Sequence, residues 1–265
     1  MLNYKNLIYL IDMDGTIYRG SLPIPHVKEF IRYLQDNNRK FLMVTNCPGS
    51  SKKKRVDKLS AMGIEVTEDK IISSGDATVD YLINNTKFSR FYLIGSKALE
   101  ELFIQRGLEI VHENPDCVVV GYDVNFTYDK LKKAVNFILN GAGFISTNID
   151  NTIPEGSQLI PHTGAITASI EAATGAKPVI IGKPERYLLD TAIDRLHCSK
   201  EQCCVIGDRL DTDIYFGVKQ NILSFLVLTG VTKKEMLEDS IIQPTKVFDD
   251  LSQLMLWDKE INRIA

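Results

Sequence analysis

Short, fully apolar segments recur along this chain, and this pattern constrains the fold more than any other feature. Such segments occupy residues 7–11, 41–44, 91–94, 118–120, 179–181 and 204–206, and residues 223–228 are apolar apart from Ser224. Between them, apolar residues fall on one face of a helix, as Val27, Phe30, Ile31 and Leu34 do. Strands that are apolar along their whole length are typical of parallel sheets covered by helices on both faces. The sequence therefore predicts an α/β fold built on parallel sheets.

Several predicted strands end in polar residues. Asp12, Met13, Asp14 and Gly15 follow the first strand, and Thr45 and Asn46 follow the strand at 41–44. Later in the chain, Gly182-Lys183 and Gly207-Asp208 follow two further strands. Ligands bind to open parallel sheets beyond the carboxyl ends of the strands. We therefore expect these segments to converge on one site, although they are far apart in sequence.

Two carboxylates in the first of these segments can divide the work of phosphoryl transfer. Asp12 can attack phosphorus as an ionised nucleophile, while Asp14 donates and later accepts a proton. The resulting aspartyl-phosphate is then hydrolysed by water. Gly15 permits a turn and a close approach of the backbone to the substrate. Taken alone, Asp-x-Asp-Gly also fits a simple turn or a calcium loop, but the later glutamate of a calcium hand is missing.

The other strand ends supply residues suited to the same chemistry. Thr45 offers a hydroxyl donor and Lys183 a positive charge for phosphate oxygens. Asp208 can ligate a hard cation, with Asp213 behind it in an outer shell. Three of these residues also have a purely structural interpretation: Thr45 as a capping or turn residue, Lys183 as a surface lysine, and Asp213 as an acid in the first turn of a helix. Because a phosphate dianion cannot approach several carboxylates unaided, we expect Mg²⁺ as the cofactor.

In their order along the chain, these segments resemble the four motifs of the haloacid dehalogenase superfamily. The motifs are Asp12-x-Asp14-Gly-Thr, Thr45, Lys183 and Gly-Asp208-x4-Asp213. Thr45-Asn-Cys-Pro-Gly-Ser, Thr147-Asn-x-Asp150 and Gly182-Lys-Pro further resemble the NagD-type, nitrophenylphosphatase-like branch with a class IIA cap. The resemblance implies a Rossmann-like parallel-sheet core with an inserted α/β cap domain. It also implies that Asp12, the Asp14 backbone carbonyl and Asp208 bind the metal, and that homodimers form through the cap.

The spacing of the motifs independently predicts an insertion. A single crossover between parallel strands needs roughly 30 residues, yet Thr45 and Lys183 are separated by far more chain than that. The excess is enough to form a domain. We therefore predict a core at residues 1–79 and 179–265, with the cap at residues 80–178.

Substrate choice is expected to depend on the cap. The segment from Thr147 to Gly164, which includes Gly156, shows little helical or strand periodicity, so we predict a long loop that is either functional or a surface connection. Together with Gly15 and Asn46, two residues of this loop, Asn148 and His162, are predicted to bind substrate. His162 stands where the resembling family usually has glycine, and the alternative for it is an exposed loop side chain.

Charge and hydropathy exclude several other functions. The formal net charge is −3, which argues against a nucleic-acid partner. No apolar run approaches the roughly 18 residues of a membrane span, so we expect a soluble, cytoplasmic protein without a membrane partner.

The predicted function is Mg²⁺-dependent hydrolysis of a small phosphate ester, such as a sugar phosphate or a nucleoside monophosphate. The alternatives are a phosphotransferase or mutase on the same scaffold and a phospho-acceptor regulatory module. A dehalogenase is disfavoured, because Asp14 and Asp208 would have no role.

Overall fold

The computed structural model describes residues 4–155 and 158–263. Its strands are β1 (Ile8–Asp12), β2 (Tyr18–Arg19), β3 (Leu22–Pro23), β4 (Phe41–Thr45), β5 (Ile71–Ser73), β6 (Arg90–Ile94), β7 (Glu109–Ile110), β8 (Cys117–Val120), β9 (Gly143–Ser146), β10 (Thr152–Glu155), β11 (Gln158–Pro161), β12 (Val179–Ile180), β13 (Cys203–Gly207), β14 (Leu223–Val227) and β15 (Lys246–Phe248). Its α-helices are α1 (Val27–Asp36), α2 (Lys52–Ala61), α3 (Ser74–Asn85), α4 (Lys97–Gln105), α5 (Tyr128–Leu139), α6 (Thr163–Thr174), α7 (Tyr187–Leu196), α8 (Tyr215–Gln220) and α9 (Leu251–Arg263). Among the described helices, none is both long enough and apolar enough to cross a bilayer.

Contacts divide the chain into two compact units. The core unit is drawn from Met1–Thr45, Arg55–Ile72 and Pro184–Ala265. The inserted unit is drawn from Asn46–Lys54 and Ser73–Lys183. The chain passes between the units at 72/73 and 183/184, against predicted limits at 79/80 and 178/179, and the segment after β4 belongs to the inserted unit.

The core unit contains a six-stranded sheet in the order β15-β14-β13-β1-β4-β5. Strand β1 pairs in parallel with β13 on one side and with β4 on the other. Sequence order therefore runs outward from β1 in both directions, which places a topological switch point between β1 and β13. This arrangement confirms the predicted Rossmann-like core, and its switch point lies where Asp12 and Asp208 leave their strands.

Burial explains why these segments form the centre of the sheet. All five residues of β1 are buried, and Tyr9, Leu10 and Ile11 have no exposed surface. The predicted apolar face of α1 is buried against the same core, as expected from its helical spacing.

Helix α9, which the sequence analysis missed, is attached to the core by a buried carboxylate. Asp258 has no exposed surface and accepts hydrogen bonds from the hydroxyls of Tyr9, at 2.5 Å, and Tyr33, at 2.6 Å. Arg39 donates to it at 2.8 Å and neutralises its charge. Burial, followed by the charge of Asp258, raises the pKa of Tyr9. The cluster joins α9 to β1 and α1 and keeps a buried charge fully paired.

The inserted unit has its own parallel sheet, in the order β12-β9-β8-β6-β7. Val179 of β12 is paired with Ile145 of β9, and the ladder continues as Ile181 and Gly182 donate to the carbonyls of Ser146 and Thr147. The expectation that the strand before Lys183 belongs to the same sheet as β4 was therefore wrong. Its hydrogen-bonding partner is β9, about thirty residues upstream, and residue spacing alone does not specify that pairing.

The segment from Thr147 to Gly164 is not the predicted irregular loop. Strands β10 and β11 form an antiparallel hairpin in which Ile153 lies opposite Ile160, and α6 begins at Thr163. Gly156 lies outside the described residues. Prolines and polar residues in the segment hide the strand pattern, and a two-stranded sheet tolerates proline because both of its strands are edges.

Candidate active site

The core unit brings three of the predicted residues together. Asp12 ends β1, Asp208 follows β13, and Asp213 lies in a turn of π-helix at Leu210–Ile214. Each offers a carboxylate oxygen, and these oxygens lie within 4.8 Å of one another. The three residues are 8%, 0% and 1% exposed, respectively. Carboxylates this close and this buried repel one another, so a bound cation would stabilise the cluster.

This cluster fits a hard divalent cation. Its donor atoms are carboxylate oxygens, which Mg²⁺ prefers in proteins. One oxygen of Asp213 accepts a hydrogen bond from the backbone N–H of Arg209 at 3.2 Å. A Cβ atom at Gly207 would overlap the Asp213 side chain, so only glycine lets that carboxylate lie against the end of β13. Two groups thus fix the position of Asp213: the Arg209 N–H that bonds to it and the Gly207 backbone against which it packs.

Asp208 is held by a segment that the sequence analysis missed. Beyond β14, the backbone N–H of Val231 donates to Asp208 Oδ2 at 2.7 Å, and Thr232 N–H donates to the Asp208 carbonyl at 3.1 Å. A Cβ atom at Gly230 would overlap the Asp208 carboxylate. The strand at 223–228 was predicted. Thr229 and Gly230 follow it directly, in the same way that the residues of the other predicted site segments follow their strands.

Gly15 also lies against the Asp208 carboxylate. Its φ of +92° is unfavourable for other residues, and a Cβ atom there would overlap Asp208. Its N–H donates to the Tyr18 carbonyl at 2.8 Å, and its carbonyl accepts from Thr229 Oγ1 at 3.0 Å. Both polar backbone groups of Gly15 are thus used within the protein. The geometry gives Gly15 a steric role beside Asp208, whereas its predicted contact with substrate stays a prediction.

Asp14 and Thr45 lie at the same edge of the core sheet. Asp14 follows β1 by two residues, and its side chain is exposed. Val44 is the residue of β4 opposite Asp12, so Thr45 lies one position further towards the carboxyl edge. Thr45 is 3% exposed. These positions suit a proton donor open to solvent and a buried hydroxyl donor.

The inserted unit holds Lys183, Asn46 and Asn148 in one buried network. Lys183 is 2% exposed, and its backbone bonds to the side chain of Asn46. Asn148 has no exposed surface, and both atoms of its amide bond to protein groups. Both side-chain amides are thus engaged within the protein, and the predicted binding of substrate by Asn46 and Asn148 stays a prediction.

His162 is not an exposed loop side chain, and that alternative was wrong. It precedes α6, has no exposed surface, and stacks on Tyr122 with ring centroids 4.6 Å apart and planes at 25°. Burial lowers the pKa of His162 to about 4, against a smaller opposing effect of the Asp150 backbone. The imidazole is thus buried and packed on a tyrosine, and its predicted contact with substrate stays a prediction.

Known proteins match this chain over nearly its whole length. The acid sugar phosphatase of Staphylococcus saprophyticus is 38% identical over 256 residues, which cover 96% of this chain and 98% of that protein. This chain belongs to the haloacid dehalogenase-like hydrolases. The family model described as haloacid dehalogenase-like hydrolase matches residues 9–109, and a second, HAD-hydrolase-like model matches residues 180–254. The predicted superfamily is thereby confirmed.

Two further relatives define the branch. The 5′-nucleotidase YutF of Bacillus subtilis is 37% identical, covering 96% of this chain and 98% of that protein. The crystal structure of 4-nitrophenylphosphatase from Thermotoga maritima superposes with a TM-score of 0.90 at 36% identity, covering 94% of this chain and 96% of that one. NagD from E. coli K-12 is also a structural neighbour. The chain is a phosphatase of the NagD-type branch, as predicted.

Proposed function

We propose that this phosphatase hydrolyses phosphate monoesters of small metabolites through attack by Asp12, with Mg²⁺ held in the same cluster. The supporting observation is the buried group of Asp12, Asp208 and Asp213 at the switch point of the core sheet. Among the described residues, no other set of histidine, cysteine and acidic side chains forms such a group. A nucleophile beside two further acids requires a cation before a phosphate dianion can bind.

The proposed reaction has two chemical steps. In the first, an oxygen of Asp12 bonds to phosphorus and the phosphorus–oxygen bond to the leaving group breaks. Asp14 donates a proton to the departing oxygen. In the second, Asp14 takes a proton from water, the water oxygen attacks phosphorus, and Asp12 is regenerated as inorganic phosphate leaves. The exposed position of Asp14 suits this exchange of protons with leaving groups and water.

Asp12, the Asp14 carbonyl and Asp208 would hold the metal in this proposal, with Asp213 in an outer shell. The outer position of Asp213 is the one that the family resemblance implies, and the hydrogen bond from Arg209 N–H holds its carboxylate in place. When bound, Mg²⁺ neutralises the carboxylates and polarises the phosphoryl oxygens. Thr45 and Lys183 would stabilise the charge on the transferring group as hydroxyl donor and cation.

The names of the relatives support a class of substrate rather than a single compound. Relatives of nearly equal identity are named for different substrates: one for acid sugar phosphatase activity and another for 5′-nucleotidase activity. Both names denote small phosphate esters, which supports this class as a whole. We propose sugar phosphates and nucleoside monophosphates as the first compounds to test. Cytoplasmic location and a homodimer formed through the cap stay predictions, and sedimentation velocity would test the second.

The decisive experiment follows phosphate from substrate to product. Asp12→Asn should abolish turnover on a panel of phosphate esters, and Asp57→Asn should not, because Asp57 is an exposed acid of α2 in the core unit. Trapping with labelled substrate and acid quenching should recover an acyl-phosphate on the Asp12 peptide. Release of phosphate to water, rather than to an added alcohol, would distinguish hydrolysis from phosphotransfer. Substantial turnover by Asp12→Asn would refute the mechanism.

A further inference from the structure

Asn46 bonds to both polar groups of the Lys183 backbone. Its Oδ1 accepts from the Lys183 N–H at 2.7 Å, and its Nδ2 donates to the Lys183 carbonyl at 3.1 Å. The same Nδ2 also donates to Asp150 Oδ1 at 3.3 Å. A primary amide has two N–H donors, so both donors of Asn46 are engaged within the protein. Its side chain therefore has no N–H left for a substrate.

These bonds begin where the strand ladder stops. Ile181 and Gly182 still bond to the residues that follow β9, at Ser146 and Thr147. At Lys183, the side-chain amide of Asn46 takes the place of a neighbouring strand's peptide group. An amide side chain has the same donor and acceptor as a peptide, which a carboxylate or an apolar side chain lacks. Lys183 is thereby held at both of its backbone polar groups although it lies beyond the sheet.

Asn148 supports Asn46 in turn. Asn148 Nδ2 donates to the Asn46 carbonyl at 2.8 Å and to Thr163 Oγ1 at 3.2 Å, and its Oδ1 accepts from Asp150 N–H at 3.0 Å. The hydroxyl of Ser74 donates to the same Asn46 carbonyl at 2.5 Å. All of these residues lie in the inserted unit, and all except the half-buried Asp150 have almost no solvent exposure. Hydrogen bonds in such surroundings are costly to break, so the network is rigid.

We propose that Asn46 and Asn148 are positioning residues that fix the backbone of Lys183, so that its side chain extends towards the phosphoryl oxygens from one fixed point. This inference rests on the proposed role of Lys183 in phosphoryl transfer. A lysine side chain is flexible, and a catalytic cation stabilises charge best when its position is set before the reaction. A misplacement of about 1 Å can cost on the order of 10²-fold in rate. Neither asparagine needs to touch the substrate.

The test compares single and double variants. Asn46→Ala and Asn148→Ala should each lower kcat/KM by about 10- to 100-fold, with the Mg²⁺ requirement unchanged. In a Lys183→Ala background, adding either change should cost less than about twofold, because the residue through which they act is gone. Asn136→Ala is the matched control, since its amide donates only to the Lys132 carbonyl on an exposed face of α5. It should retain full activity.

Binding of inorganic phosphate in the presence of Mg²⁺, measured by calorimetry, supplies a readout that does not need turnover. Asn148→Ala and Lys183→Ala should each weaken phosphate binding, and the double variant should bind no more weakly than Lys183→Ala alone. Losses that add in the double variant would overturn the proposal. If Lys183→Ala alone leaves activity and phosphate binding intact, the proposed role of Lys183 fails, and the positioning proposal fails with it. Should the alanine variants unfold, Asn46→Ser and Asn148→Ser carry the same comparison, because serine keeps a polar group at each site.

Discussion

Acidification should destabilise this protein through one buried side chain, His162. Its pKa is about 4 in the folded protein because burial disfavours the charged imidazolium, against a usual value of 6.5. Between these two values the unfolded chain binds a proton that the folded protein does not. The free energy of unfolding therefore falls as the pH drops from about 6.5 to 4. At about 1.4 kcal/mol per pKa unit, the loss is about 2 kcal/mol at pH 5 and about 3 kcal/mol at pH 4.

His162→Phe isolates this effect. Phenylalanine can keep the ring stacked on Tyr122 but cannot take up a proton. Urea unfolding followed by circular dichroism, repeated from pH 7 to pH 4, measures the free energy of unfolding of each protein. The wild-type value should fall more steeply than that of the variant, by about 3 kcal/mol over the full range. Any constant packing cost of phenylalanine cancels, because only the change with pH is compared.

His112→Gln provides the control, since His112 is an exposed histidine of the same unit. Its unfolding should depend on pH as the wild type does. If His162→Phe and the wild type lose stability in parallel, the buried imidazole does not carry the cost and the reasoning from burial is refuted.

Three further outcomes follow from the core unit. Asp14→Asn should reduce turnover by roughly 10²–10⁴-fold for poor leaving groups and much less for nitrophenyl phosphate; an equal loss for both would exclude Asp14 as the acid. Gly230→Ala should weaken Mg²⁺ activation at least tenfold, because its methyl group would overlap the Asp208 carboxylate; an unchanged Mg²⁺ titration would contradict that steric reading. Exhaustive chelation should abolish activity and added Mg²⁺ should restore it, whereas full activity without metal would exclude the proposed cofactor.

Much of the core unit could be predicted from local sequence. Fully apolar segments such as residues 7–11 and 204–206 are typical of buried strands, and acids at their ends reach the carboxyl edge of a parallel sheet. Asp12 and Asp208 were therefore predictable as neighbours, although β1 and β13 are almost 200 residues apart. The Val27-to-Leu34 face of α1 was predictable for the same reason, because burial imposes the helical period.

Only the tertiary structure decided which groups hold the site residues in place. The Asp208 carboxylate bonds to Val231, 23 residues away, and the Lys183 backbone bonds to Asn46, 137 residues away. Such pairs depend on how the strands are ordered and where each ladder stops, and no local spacing encodes them. The burial of His162 against Tyr122 likewise reflects packing around the start of α6. Local sequence thus determined which chemical groups stand at the strand ends, whereas long-range backbone pairing determined which of them are held rigidly.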